Sequence, residues 1–203
     1  MKFFLTHLSA TGGQRAFSLI ELMMALGIGL VLGGTVILLL LQAAKEQRKG
    51  MVNATVEQKA YGLQANITAC LRSASANQGI TPDYSSGLLD ASGNLLGYGT
   101  IFVFCPTNGG YLTGLIQYTR ASGRVLYTPN VLTPSTQQLW MTNSQTAALT
   151  NLCFSTSFNP DGSKNSSLVN VRFQMDDRGY SQSNPTNNPA SIYRSFSVQM
   201  RND

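Results

Sequence analysis

Apolar positions fall into two regimes along this chain. Between Phe17 and Leu41 nearly every residue is apolar or glycine, and Leu22 to Ala44 is a run of 23 residues without a charge. A helix over that run would be about 35 Å long against a hydrocarbon core of roughly 30 Å, so it is read as a membrane span. Beyond it the apolar residues thin to one stripe. Val52, Val56, Leu63, Ile67, Cys70 or Leu71, and Ala74 recur at spacings of three, four or seven, while Glu57, Lys59, Gln64 and Arg72 occupy other faces. No proline precedes Pro82, so the pattern predicts one helix over about residues 18–77, roughly 90 Å long, with Gly50 and Gly62 as soft points.

From "NQGITPDYSSG" onward the punctuation changes to Gly, Pro, Asn and Ser, the composition of loops. The runs that follow are strand-like: TIFVFC (100–105), LTGLIQYT (112–119), RVLYT (124–128), QQLWM (137–141), LCFSTSF (152–158), LVNVRFQM (168–175) and SIYRSFSVQM (191–200). "IQYTRASGRVLYT" reads as a hairpin closed around Ser122 and Gly123. Val169, Val171, Phe173 and Met175 alternate with Asn170, Arg172 and Gln174, which predicts one buried and one wet face. The expected class is α+β, a long N-terminal transmembrane helix whose C-terminal half packs on an antiparallel β-sheet, because each supplies the apolar surface the other must cover.

Charge and cysteine content change this picture little. The formal charge of +5 includes Lys2 and Arg15 ahead of the span; without them twelve basic residues face nine acidic ones, and no Lys/Arg cluster lies in the polar body. Only Lys45, Arg48 and Lys49 group together, where a helix would leave a membrane, so basicity is weak evidence for nucleic acid. Cys70, Cys105 and Cys153 lack the close paired spacing of zinc or redox motifs. In an oxidising envelope compartment two of them can bridge, and Cys105 with Cys153 is the preferred pair, since both lie in strand-like runs while Cys70 falls on the helix.

Glu21 stands immediately before the uncharged run, where a carboxylate is costly unless paired. Together with its surroundings, "AFSLIELMMALGIGLVLGG", it resembles the N-terminal segment of type IV pilins and pseudopilins. In that family a prepilin peptidase cuts before a Phe, the new amino terminus is N-methylated, and a Glu four residues on neutralises the terminal amine of a neighbouring subunit. Phe17 and Glu21 match this spacing, while Ala16 stands where the family has glycine. The same segment, with the ending "YRSFSVQMRND", is similar to PilW-type minor pilins and related GspJ-type pseudopilins. Residues 77–165 carry no such likeness.

The resemblance implies a leader over 1–16, a membrane half of the helix over 17–44, an amphipathic half over 45–77, and a β-rich periplasmic or extracellular domain over 78–203. It further implies a single-pass inner-membrane protein with a cytoplasmic amino terminus that later enters a pilus. Its partners would be prepilin peptidase and other major and minor pilins. The short basic start and the small residues of "LQAAK" (41–45) also imitate a secretory signal, but the apolar run is too long for one. Gly29 and Gly33 form a G-x-x-x-G that lets helices approach closely; glycine is also simply common in membrane helices, and the spacing does not choose between these readings.

Chemistry is sparse. His7 is the only histidine and lies in the expected leader, so a mature chain would have no Ser-His-Asp, Cys-His or His-ligated metal site, and neither an enzyme nor a cofactor is expected. Asp176 and Asp177 are neighbours that a strand would point opposite ways, a poor acid and base couple. "FNPDGSKNSS" (158–167) reads as a polar turn, since one aspartate is far short of a calcium loop. Trp140 and the Tyr and Phe residues could stack on DNA or a surface ligand, but their alternating strand positions are those of core packing.

Overall fold

The computed structural model describes residues 18–90, 92–144, 147–158, 164–177 and 191–201. Contacts separate two compact units, residues 1–47 and residues 48–203. Helix α1, Leu19–Ser73, forms the described part of the first unit beyond Ser18 and opens the second. In the first unit Leu22, Leu26, Leu30, Val36 and Leu40 are all exposed, and no polar face interrupts them. This part of the helix is long and apolar enough to cross a bilayer. Gly50 and Gly62 leave the helix unbroken.

In the second unit the apolar stripe is buried. Val56, Ala60, Leu63, Ile67, Cys70, Leu71 and Ala74 are enclosed, with Val52 packed at their margin, at the alternating spacing of three and four that keeps one face inward. Two five-stranded antiparallel sheets cover it, where one sheet was expected. The first runs β1 (Ile80–Pro82), β4 (Thr100–Thr107), β5 (Gly110–Thr119), β6 (Arg124–Thr128) and β7 (Gln138–Met141). The second runs β10 (Ser191–Gln199), β9 (Lys164–Asp177), β8 (Ala147–Phe158), β3 (Leu95–Tyr98) and β2 (Gly87–Leu89). Ile101, Val103, Ile116 and Val125 of the first sheet join Leu152, Phe154, Val171 and Phe173 of the second in one core with the helix stripe. Alternation in β9 is as expected, with Val169, Val171, Phe173 and Met175 all buried.

All seven strand-like runs form strands, and three short strands appear where loops were expected. Each of the three depends on a partner distant in sequence or on an adjacent turn rather than on its own pattern. β1 ends in Pro82, which lacks a ladder donor and is accommodated because β1 is an edge strand. β3 meets β8 through the single pair Tyr98 and Phe154. Residues 159–163 of the polar turn lie outside the described residues.

The helix also stops at Ser73, short of the expected 77. Ser75 N–H donates to the Phe104 carbonyl at 2.8 Å and Ala76 N–H to the Arg201 carbonyl at 2.8 Å, while Arg201 N–H donates to the Ala74 carbonyl at 3.1 Å. Backbone groups that would continue the helix are therefore taken up by β4 on one side and by the chain after β10 on the other. Side chains flank the stripe as well. Lys59 Nζ donates to Ser144 Oγ at 2.6 Å, and the Arg194 guanidinium lies 4.5 Å from the centre of the Tyr61 ring.

The β5–β6 hairpin pairs Thr119 with Arg124 around a loop that ends in Gly123, at a φ of 56° that favours glycine. Gly97 is the more constrained glycine. Its φ is 150°, and a Cβ there would lie 2.5 Å from the Phe154 carbonyl oxygen, so β3 can approach β8 this closely only without a side chain at this point. Gly97→Ala should cost about 2–4 kcal/mol. By contrast Gly62, exposed on the helix with nothing within 4 Å of an added Cβ, should gain about 0.5–1 kcal/mol on Gly62→Ala. Thermal unfolding of the full chain in detergent, followed by near-ultraviolet dichroism, measures both; a tolerated Gly97→Ala would contradict this close approach.

Candidate functional site

The start of α1 carries a reciprocal cap. Ser18 N–H donates to Glu21 Oε2 at 3.0 Å, and Glu21 N–H donates to Ser18 Oγ at 3.3 Å. A helix begins with N–H groups that have no intrahelical acceptor, and a Ser-x-x-Glu pair satisfies two of them while placing a carboxylate at the positive end of the helix dipole. Glu21 thus has a local role that the reading of its sequence neighbours missed, although "SLIE" at 18–21 carries the signature. A carboxylate offers about four acceptor positions, so this cap leaves it able to take a further donor. Ala16 and Phe17 lie outside the described residues. Gly29 and Gly33 have nothing within 4 Å of an added Cβ, so no packing within this chain calls for glycine there.

Cys105 and Cys153, the pair expected to bridge, are both free thiols and lie on β4 and β8 in different sheets. Cys153, only 2% exposed, lies outside the core cluster beneath β3, where a Cβ on Gly97 would be 3.3 Å from its own. Burial raises its pKa, against the lowering effect of Arg172. Strand alternation identified both cysteines as strand residues but could not tell that their strands belong to separate sheets.

Cys105 instead faces the end of α1. It shares a strand face with buried Ile101 and Val103, and its Sγ is 4.0 Å from Ser73 Oγ, which donates to the Cys70 carbonyl at 2.7 Å. The phenol of Tyr127, on β6, interacts with both the Cys70 and the Cys105 thiol. Its ring stacks on Trp140 with centroids 4.7 Å apart and leans over Gly114, where a Cβ would come within 3.3 Å of it. Burial pushes the Cys70 thiol up to about 12 and also raises the Tyr127 phenol, whose ionisation Cys70 opposes further.

Elsewhere, Ile80, Pro82, Tyr84, Leu95, Tyr98 and Phe154 line a groove of about 260 Å³, with Tyr84 set edge-on to Tyr98 at 5.5 Å. Among the described residues no charged side chain lines it. Nor do three or more His, Cys, Asp and Glu side chains converge anywhere among the described residues. Comparison with protein-family models, with characterised proteins and with solved structures finds no match to this chain, so its functional reading rests on its own residues.

The buried hydroxyl and thiol groups predict an alkaline limit to stability. Tyr118, which donates to the Leu149 carbonyl at 3.2 Å, is pushed by burial from 10.0 to about 12, and Cys70 from 9.0 to about 12. Each keeps its proton in the folded chain where the unfolded chain has released it, so their stabilisation is whole below pH 9 and is lost as pH rises to about 12. The unfolding midpoint should fall across this window, and Tyr118→Phe should flatten the part above pH 10. A midpoint constant from pH 9 to 12 would contradict buried, protonated groups.

Proposed function

We propose that this chain is a minor type IV pilin, held in the inner membrane by the apolar part of α1 and then taken up into a filament by helix packing. The observation that carries the reading is Glu21 at the head of an apolar helix whose continuation is buried under an antiparallel β domain. A helix that is apolar on every side needs surroundings as apolar as itself, either lipid or the helices of other subunits. A prepilin peptidase would remove residues 1–16, and the exposed Phe17 amine, once methylated, remains a cation. Glu21 of one subunit would then accept that ammonium in a low dielectric, which offsets the cost of both charges and sets the axial register of the added helix.

In this reading the β domain is displayed outside the helical filament core, and its work is priming assembly or decorating the tip with related subunits. Such a role uses surface and register and requires no catalytic group. A GspJ-like pseudopilin of a type II secretion system would use the same processing and the same charge pair. The retained Glu21 disfavours the tip pseudopilin class, which characteristically lacks this residue.

The first test is the mass of the amino-terminal peptide from protein made alongside its own prepilin peptidase. A methylated terminus at Phe17 is expected; an intact Met1, or a cut after Ala44, would overturn the reading. A second test separates the two roles of Glu21. Glu21→Gln keeps a capping box, since glutamine serves at that position, but removes the charge. Incorporation into sheared filaments, measured by immunoblot, should fall more than tenfold while the helical dichroism of the purified chain is unchanged. Normal incorporation would leave Glu21 with its capping role only.

A further inference from the structure

Three constraints bring Cys70 and Cys105 together. The Tyr127 phenol interacts with both thiols, so the two side chains meet the same group. Ser73 Oγ bonds the Cys70 carbonyl and touches Cys105 Sγ, closing the gap from the helix side. The chain that follows is held too, because Ser75 N–H donates to the carbonyl of Phe104, the residue before Cys105. We infer that Cys70 and Cys105 form a disulfide under oxidising conditions, tying the last turn of α1 to β4, while Cys153 remains a thiol.

The burial of the two sulfurs sets the order of events. Cys105 is partly exposed, whereas Cys70 is 6% exposed. A disulfide-bonded oxidant is attacked first by the Cys105 thiolate, giving a mixed disulfide and releasing one oxidant thiolate. Cys70 then gives up its proton and attacks Cys105 Sγ, expelling the second. Two protein thiols lose two electrons in all, and the oxidant's disulfide becomes two thiols. The second step is the slow one, because burial holds the Cys70 proton. Tyr127 helps it, since a hydrogen bond from its hydroxyl favours the Cys70 thiolate.

The bond would lock a junction that is otherwise made of backbone hydrogen bonds and packing. It would also remove the remaining freedom of the helix end against the first sheet. In the cell the oxidant follows from the envelope location proposed above; in the test it is supplied, so the two ideas fail separately.

Full-length protein, purified in detergent and reduced, is treated with oxidised glutathione, quenched in acid, alkylated in denaturant and digested with trypsin. The three cysteines fall in separate tryptic peptides, 60–72, 73–120 and 125–164. Peptide 60–72 should be linked to 73–120 with Cys153 alkylated, and the unfolding midpoint should rise by about 5–10 °C over the reduced protein. Closure of the mixed disulfide should quicken with rising pH and slow several-fold in Tyr127→Phe. A link between 73–120 and 125–164, intermolecular dimers only, or three unlinked thiols after prolonged oxidation would overturn the inference.

Discussion

Burial of one narrow helical stripe is the constraint on which the described β domain depends. Val56, Ala60, Leu63, Ile67, Leu71 and Ala74 are almost wholly enclosed, and the inner faces of both sheets reach the same cluster. Fully burying a Leu or Ile side chain contributes about 1.5–3 kcal/mol, so the stripe supplies much of what draws the sheets inward. The backbone at the end of the stripe completes the arrangement, since residues 74–76 bond to β4 and to Arg201 beyond β10.

Two demands meet in α1. Its first part is apolar all round and requires an apolar environment, whereas its second part buries one apolar face and leaves the rest wet or flanking. The change occurs without a helix break, even at Gly50, so one continuous element serves both environments. At its start Ser18 and Glu21 answer a local need of every helix, partners for its first N–H groups. The carboxylate that closes this cap is the group through which the proposed assembly would be read. The local and the intersubunit roles are compatible because a carboxylate accepts several donors.

At the other end of the helix the chemistry is of a different kind. Cys70, Cys105 and Tyr127 come from the helix, β4 and β6, and they converge because Gly114 leaves room for the tyrosine ring to lean across. Burial suppresses the ionisation of Cys70 and Tyr127, which leaves these two poor nucleophiles. It suits them instead to holding elements together. The apolar groove beside Tyr84 and Tyr98 likewise offers shape without charge.

Periodicity along the chain determined the helix, its buried face, the seven strands from β4 to β10 and the β5–β6 turn. Each of these is a local preference repeated at a fixed spacing, 3.6 for the helix and two for the strands. The proposed role of Glu21 was also legible, since it lies in a contiguous motif, and its cap with Ser18 could have been read from the same four residues. Only the tertiary structure decided that the strands divide into two sheets, that the helix ends at Ser73, and that Cys105 lies by Ser73 while Cys153 belongs to the other sheet. Alternation tells which side chains point inward but not which strand lies alongside or what stands opposite. Those outcomes depend on contacts between residues far apart in sequence, and they are settled only when the whole core packs.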